Sequence, residues 1–330
     1  MNKTDLDDLA GRIQSWSESL WEMTADDTGG FRKNADVPVN LLSSTDVAWI
    51  RHAMGQGDVA GGKRDAWVRF LRTRQDPRTG RFRYEPHAET NLSTGHALWH
   101  VVRSLNILGA DLAHYPHYLA DTVPLAGLEA FFDAVDWSGP PSNHHEVLGL
   151  SPLLVSLGDE QWTETFYRKL ADQQDRQTGT WPAGRPINIS RTYAYTVLYH
   201  AAGRMPAMPD RIVDAILATQ GAEGFWNGPG FHTMDSAYLL IRLGGAIGHR
   251  RADATAALER LRAAMNELAA TRLREVLRDT HGTLAVVETF SLLQEAFPRA
   301  YPAETAWRFD WTDTALYRSE RIAAGPEAAP

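Results

Sequence analysis

Histidines and carboxylates recur at the starts of the apolar helical segments of this chain. The stretch FHTMDSAY places His232 three residues before Asp235, so on a helix the two side chains share a face and can hydrogen-bond. A histidine that titrates near neutral pH and a carboxylate tuned by burial are the usual partners in general acid–base catalysis. This spacing predicts a proton-transfer site formed by His232 and Asp235.

Titratable residues occupy similar positions in the other apolar segments, each a short distance after the aromatic residue of a turn. The residues predicted to be catalytic are Asp235, His232, Asp46, His96, His145 and His281. The residues predicted to contact substrate are Arg191, Trp49, Trp99, Tyr193, Tyr238 and Glu288. Aromatic rings among them are able to stabilise a carbocation through their π faces. The alternative for single members of the set is structural, as helix caps or core packing.

A repeated turn pattern indicates the elements that position these residues. Gln75, Gln174 and Gln220 each end an amphipathic segment and precede a glycine, one spacer residue and an aromatic residue, as in QQDRQTGTW. The Gln side chain can satisfy free backbone groups at a helix end while the aromatic residue packs beneath it. The repeating unit of roughly 40–60 residues fits two helices and their loops.

A second, more apolar helix is predicted after each turn. The predicted apolar helices cover residues 44–54, 93–109, 143–158, 190–203, 234–245 and 281–297. Pairs of one apolar and one amphipathic helix require two layers. Six pairs that close on themselves predict an all-α (α/α)6 toroid around a central cavity, and the alternative is an open helical array. A single toroid domain is expected over residues 1–315, and residues 316–330 form an extension whose last ten residues, RIAAGPEAAP, are expected to be disordered.

Composition excludes several classes of protein. The chain has 330 residues, of which 43% are hydrophobic and 22% charged, an ordinary globular balance. The absence of cysteine excludes disulfides and thiolate ligands. A formal net charge of -8 argues against a broad nucleic-acid surface. No apolar stretch approaches the ~18 residues of a membrane span, and the polar, acidic start MNKTDLDDLAGRIQSW indicates a cytoplasmic protein.

The pattern Leu-x3-Gln-x(3–5)-Gly-x-Trp/Phe resembles the QW repeat of the squalene–hopene cyclase and prenyltransferase superfamily. GFWNGPGFHTMDSAYLLIRLGG is similar to the repeats of protein prenyltransferase β subunits. The likeness extends from about residue 15 to residue 300. It implies an α–α toroid that encloses a small-molecule substrate, with an isomerase or transferase activity on isoprenoids, and it implies structural roles for the glutamines and turn aromatics.

Three departures from that superfamily limit the resemblance. The acid motif Asp-x-Asp-Asp occurs only as DLDD, at Asp5, Asp7 and Asp8, where acids at a helix start explain it better. Without cysteine, the Asp-Cys-His zinc site of protein prenyltransferases cannot form. No Asp-rich magnesium motif is evident. No cofactor is therefore predicted, and the alternative is a metal ion held by His96, His145, His232 and His281.

Three functions remain open from the sequence. The first is an isoprenoid cyclase or transferase in which Asp235 with His232 is the acid. The second is a carbohydrate-active hydrolase, lyase or epimerase that uses the histidines and carboxylates, with Trp99 or Trp181 stacked on a sugar and Arg191 on a uronate carboxylate. The third is a non-catalytic helical-repeat binding protein. The first is favoured because its pattern runs through the whole chain.

Overall fold

The computed structural model describes residues 4–82, 84, 94–139 and 142–327, with the exception of the side chains of residues 142–144. In this part of the chain the α-helices are α1 (Leu6–Glu18), α2 (Leu41–Ala53), α3 (Arg64–Thr73), α4 (Thr94–Ile107), α5 (Leu125–Ala134), α6 (Ser142–Leu148), α7 (Ser151–Ser156), α8 (Glu160–Asp172), α9 (Ile189–Ala201), α10 (Pro209–Leu217), α11 (Phe231–Leu239), α12 (Gly245–Ile247), α13 (Arg251–Thr271), α14 (Leu273–Val276), α15 (Thr280–Ala296) and α16 (Glu320–Ala323).

The remaining regular elements are short. There are two 3-10 helices, His117–Thr122 and Thr314–Tyr317. A π-helical segment, Leu240–Gly244, directly follows α11, and two antiparallel strands are β1 (Trp21–Met23) and β2 (Gly29–Phe31). The described chain is therefore mostly helical, with only two short strands, as the sequence predicts. No helix in the described ranges is both long and apolar enough to cross a membrane.

Two kinds of helix alternate along the chain. Amphipathic helices bury one side only, as α3 does with Trp67, Phe70 and Leu71. Helices of the second kind are buried on all sides, as α9 is without interruption from Arg191 to Tyr199. A helix that is apolar all round needs cover on every side. All six segments predicted as apolar helices are helical, although one of them is divided in two, and the closed ring of six pairs stays a prediction.

One of the six apolar helices is interrupted. The segment predicted as one helix over residues 143–158 forms α6 and α7, which are separated at Gly149. A Cβ atom at Gly149 would lie 2.5 Å from the Cα atom of Gly95 in α4, so the two backbones approach too closely for a side chain. Pro152 in the first turn of α7 also lacks the N–H group that a continuous helix would need.

The chain groups into two compact units. The Asp235 unit consists of Met1–Leu20, Ile50–Gly57 and Gln174–Thr312, and the His96 unit consists of Trp21–Trp49, Asp58–Gln173 and Asp313–Pro330. The expectation of a single domain over residues 1–315 stays a prediction.

The three glutamines of the turn pattern bind backbone carbonyls on both sides of their turns. The Gln174 Nε2 donates to the carbonyl oxygen of Gly179 at 2.7 Å and to that of Ala207 at 2.5 Å. Gln75 and Gln220 make the corresponding pairs of bonds, to Gly80 and His114 and to Gly224 and Ala257. Each glutamine thus closes its own turn and attaches a later part of the chain to it.

A hydroxyl group connects the turn aromatic residue to the next buried helix. The backbone N–H of Trp226 donates to the Thr233 Oγ1 at 2.8 Å, and that of Phe31 donates to the Ser44 Oγ at 2.9 Å. Trp181 makes the same bond to Thr192 at 3.3 Å. The first turns of three buried helices are therefore fixed relative to the preceding turn.

The disorder expected over residues 321–330 is not found over residues 321–325, which form the end of α16 and the turn that follows it. The Asp111 carboxylate accepts from the Ser319 Oγ at 2.7 Å and from the Arg321 N–H at 2.9 Å, and Ile322 in α16 is 1% exposed. These contacts hold the segment in the His96 unit. Residues 328–330 lie outside the described part of the chain.

Candidate active site

Asp235 lies in α11, where it is buried. Helix α11 packs against α9 and α15, and Asp235 is 2% exposed. The Ser190 hydroxyl at the start of α9 donates to the Asp235 Oδ2 at 2.8 Å. Burial raises the pKa of the Asp235 carboxyl well above its ordinary value of 3.8, and the bond from Ser190 partly opposes the shift. The environment therefore favours the neutral carboxylic acid, which is the form that can donate a proton.

His232 does not pair with Asp235, so the predicted hydrogen bond between them is wrong. The Asn227 amide meets the His232 Nδ1 at 3.0 Å, whereas Asp235 is bonded to Ser190. His232 precedes Asp235 by less than one turn and is exposed, while Asp235 is buried. Partial desolvation still lowers the pKa of the His232 imidazole, so the neutral ring is favoured.

Aromatic side chains of α9 and α11 pack together with Trp311 from the stretch that follows α15. The Tyr193 ring meets the Tyr238 ring edge to face at 5.2 Å between centroids and the Trp311 ring at 5.8 Å. The Tyr238 hydroxyl is 2.7 Å from the His200 Nδ1. Burial, together with the charge of Arg242, lowers the pKa of His200 to about 4, so its imidazole is neutral at neutral pH.

The Asp235 unit contains three more predicted site residues. Arg191 follows Ser190 in α9 and is buried, and Glu288 is buried in α15. His281 lies in the first turn of α15, where its ring is 4.3 Å from the Phe231 ring. The structure thus places Arg191, Asp235, His281 and Glu288 on α9, α11 and α15, of which α11 packs against the other two, and their functional roles stay predictions.

A second cluster lies in the His96 unit and is built from stacked rings. The Arg103 guanidinium is 4.1 Å from the Trp49 ring centroid, and Trp49 stacks on His100 at 4.4 Å and 4°. His100 stacks in turn on His96 at 4.0 Å, and His145 meets His96 edge to face at 4.6 Å. The column places a guanidinium charge against an indole face, a favourable cation–π arrangement.

The remaining predicted residues of the His96 unit lie beside this column or on the same helix. Trp99 meets Trp49 edge to face at 5.9 Å and stacks on Tyr317 at 6.3 Å. The Tyr84 hydroxyl is 2.7 Å from the His96 Nδ1. Asp46 is fully buried in α2. The structure therefore brings His96, His145, Trp49 and Trp99 together, as a packed cluster of rings.

Sequence reasoning missed several of these residues. His100 follows His96 by four positions, which on a helix places the two rings on one face, so the spacing carried a usable signal. Trp311 ends the alternating stretch WRFDW, in which every second side chain faces the same way. Ser190 gave no signal, because its contact with Asp235 joins residues 45 positions apart.

Metal ligation is not supported by the positions of the titratable residues. Within the described ranges, no three side chains of the His, Asp, Glu and Cys types are grouped so that they could hold a metal ion. The four-histidine metal site considered from the sequence gains no support from this finding.

Comparison with known proteins identifies a structural relative but no sequence relative. No family model matches the chain, and no curated protein matches it in sequence. The fold is similar to that of the type II terpene cyclase MstE from Scytonema, with a TM-score of 0.52 and 14% sequence identity over 89% of this chain and 99% of that one. The chain thus has a terpene cyclase-like fold.

Proposed function

We propose that this protein is an enzyme that cyclises an isoprenoid by protonating it, with Asp235 as the acid. The observation that carries the proposal is a carboxyl group that is buried in α11 and has, within the described part of the chain, no basic partner, only the Ser190 hydroxyl, on a terpene cyclase-like fold. A carboxylic acid kept neutral by burial can act as a general acid at a pH where an exposed aspartate is ionised.

The proposed step is a proton transfer from oxygen to carbon or to an epoxide oxygen. The O–H bond of the Asp235 carboxyl breaks, and its proton adds to a terminal alkene or an epoxide of the substrate. The alkene π electrons then form ring bonds, and the last carbocation loses a proton to a base. The product is an isomer of the substrate, and solvent returns a proton to Asp235.

Ser190 supports this step by stabilising the carboxylate that the transfer leaves behind. A hydroxyl that donates to a carboxyl oxygen favours the ionised form, and Ser190 donates to the Oδ2. The transferable proton is then assigned to the Oδ1. Ser190 is thus a positioning residue for the acid.

The aromatic residues of the Asp235 unit are proposed to stabilise the carbocation. Tyr193, Tyr238 and Trp311 are all buried, and Tyr238 lies one helical turn after Asp235. Cation–π attraction is strongest when water is excluded, at about 2 kcal/mol or more for each ring. In this proposal His232 is not the partner of the acid, because it is bonded to Asn227.

The proposal is tested with a panel of substrates. Polyprenyl compounds that carry a terminal alkene or epoxide are incubated with the protein, and intact and unsaturated oligosaccharides are incubated in parallel. We expect isomeric cyclic products from a polyprenyl compound. We expect Asp235→Asn to abolish them and Asp210→Asn, a change at an exposed acid in α10, to preserve them. Conversion of a glycan, or full cyclase activity of Asp235→Asn, would overturn the proposal.

A further inference from the structure

The Asp235 unit contains a cavity whose lining does not include Asp235. Its volume is about 550 Å³, and its lining comes from the π-helical segment, the end of α15 and the extended stretch that follows α15. Cavities of 300–1,000 Å³ commonly hold small molecules. Arg242 of this lining is seven residues after Asp235, which corresponds to about 10 Å along a helix.

The cavity combines an apolar wall with charged groups. Ala306 contributes exposed apolar surface together with the accessible edges of Trp307 and Phe309, which are 6% and 7% exposed, and Arg242 and Arg308 contribute guanidinium groups. The stretch of chain that follows α15 is held in place by two hydrogen bonds from its backbone N–H groups. The Trp307 N–H donates to the Gln294 Oε1 at 2.7 Å, and the Arg308 N–H donates to the Ala53 carbonyl at 2.7 Å. The wall is therefore anchored on α15 and on the end of α2.

Both carboxylates that line the cavity have partners. Glu295 forms two bonds with Arg242, at 2.6 and 2.8 Å, and the Asp310 Oδ2 is 2.9 Å from the His52 Nε2. Arg308 is exposed, and no carboxylate in the described part of the chain pairs with it. The cavity therefore offers one guanidinium whose charge no neighbouring acid neutralises.

Arg242 belongs to a rare backbone conformation. Leu240–Gly244 is π-helical, and single π turns within helices are frequently found at functional sites. A π turn contains one more residue than an α turn, so it changes the direction in which the following side chains project. In this chain it accompanies the pairing of Arg242 with Glu295 at the wall of the cavity.

We propose that this cavity binds an organic anion with an apolar body, whose carboxylate or phosphate group pairs with Arg308. The apolar body contacts Trp307, Phe309 and Ala306, and the Arg242–Glu295 pair closes the opposite wall. The site is separate from Asp235, and neither its ligand nor its test depends on the proposed cyclisation.

Isothermal titration calorimetry with three ligands that share one apolar body tests the proposal. The probes are octanoate, octyl phosphate and octylammonium, each below its micellar concentration. We expect one site for at least one of the two anions, and an affinity for octylammonium at least about tenfold weaker. The anion that binds more tightly identifies the head group. If neither anion binds, or if octylammonium binds as tightly, the proposal is wrong.

Variants establish where the anion binds. Arg308→Gln removes the cation and should weaken anion binding about fivefold, the effect of an exposed ion pair of about 1 kcal/mol. Ala306→Trp should block the cavity and remove binding. Arg278→Gln, at an exposed arginine of the same unit that is not part of this lining, should bind like the wild type, as should Asp235→Asn. Unchanged binding in both Arg308→Gln and Ala306→Trp, or loss of binding in Asp235→Asn, would contradict the assignment.

Discussion

At Asp235, burial and hydrogen bonding act on the carboxyl in opposite directions. Burial raises the pKa of the group, and the bond from the Ser190 hydroxyl lowers it. Burial is the larger effect, so the acid form is favoured to a higher pH than for an exposed aspartate. The proposed catalysis depends on this balance between burial and hydrogen bonding, because only the protonated carboxyl can start the reaction.

Removal of Ser190 should change the pH dependence of the cyclase activity in one direction. An enzyme that needs a protonated acid loses activity as the pH rises through the pKa of that acid. Because Ser190 lowers the pKa of Asp235, Ser190→Ala should raise it and move the alkaline fall in kcat to higher pH. The measurement is kcat against pH for Ser190→Ala and for Ser190→Thr, which keeps the hydroxyl. A shift to lower pH in Ser190→Ala would refute this role.

At the scale of elements, the turns that join amphipathic and buried helices depend on a few hydrogen bonds. Each of the three glutamines donates its amide to two carbonyl groups. The loss of a donor leaves a buried carbonyl unsatisfied, which costs about 1–3 kcal/mol.

The exchange of an amide for a carboxylate tests one of these turns. Gln174→Glu keeps the shape of the side chain but replaces the donor that binds Gly179 and Ala207 with an acceptor. We expect the free energy of unfolding to fall by about 1–3 kcal/mol, measured by denaturant unfolding. Gln177→Glu makes the same change at an exposed position of the same turn and should have little effect. Equal losses in the two variants would show that the contribution of Gln174 is only one of charge.

Many of the helices and turns were predictable from the sequence, but some of the contacts between them were not. The helices and the glutamine turns follow from short-range patterns of apolar residues, Gln and Gly. The hydroxyls of Ser44, Thr192 and Thr233 that bind the turn aromatics were not predicted, since Ser and Thr at a helix start fit an ordinary cap equally well. The break at Gly149 depends in part on the close approach of α4, which no local pattern reports, whereas Pro152 is a local signal for it.

At the scale of the whole molecule, the chain has a terpene cyclase-like fold but little sequence similarity to the terpene cyclase MstE. At 14% identity to MstE, the fold is similar although most residues differ. The placement of Asp235 on an apolar helix was predictable from the pattern of residues 234–245. Its bond to Ser190 and the column of rings around His100 were not, because they depend on how distant segments pack.

The C-terminal segment shows the same limit of local reasoning. Its composition predicts disorder after residue 320, yet Asp111 binds Ser319 and Arg321, more than 200 residues further along the chain. Ile322 is buried beside these bonds. A tertiary contact of this kind overrides the compositional signal.

Truncation of Ile322 measures how much this segment contributes to stability. Ile322→Ala removes a side chain that is 1% exposed, and large-to-small changes of this type cost about 2–5 kcal/mol. Ile247→Ala makes the same change where the side chain is 37% exposed, and it should cost clearly less. Thermal or denaturant unfolding of both variants gives the comparison. If Ile322→Ala were the milder change, the segment would not be part of the core.

The central claim is that Asp235 protonates the substrate, and solvent deuterium tests it most directly. In heavy water the acid carries deuterium, so a substrate that is protonated at a terminal alkene should give a cyclised product with one deuterium on the carbon that receives the proton, where it does not exchange with solvent, as measured by mass spectrometry and NMR. We expect this label with the wild-type protein and with Asp210→Asn, and no labelled cyclic product with a folded Asp235→Asn variant. Labelled product formed by Asp235→Asn at the wild-type rate would contradict the account.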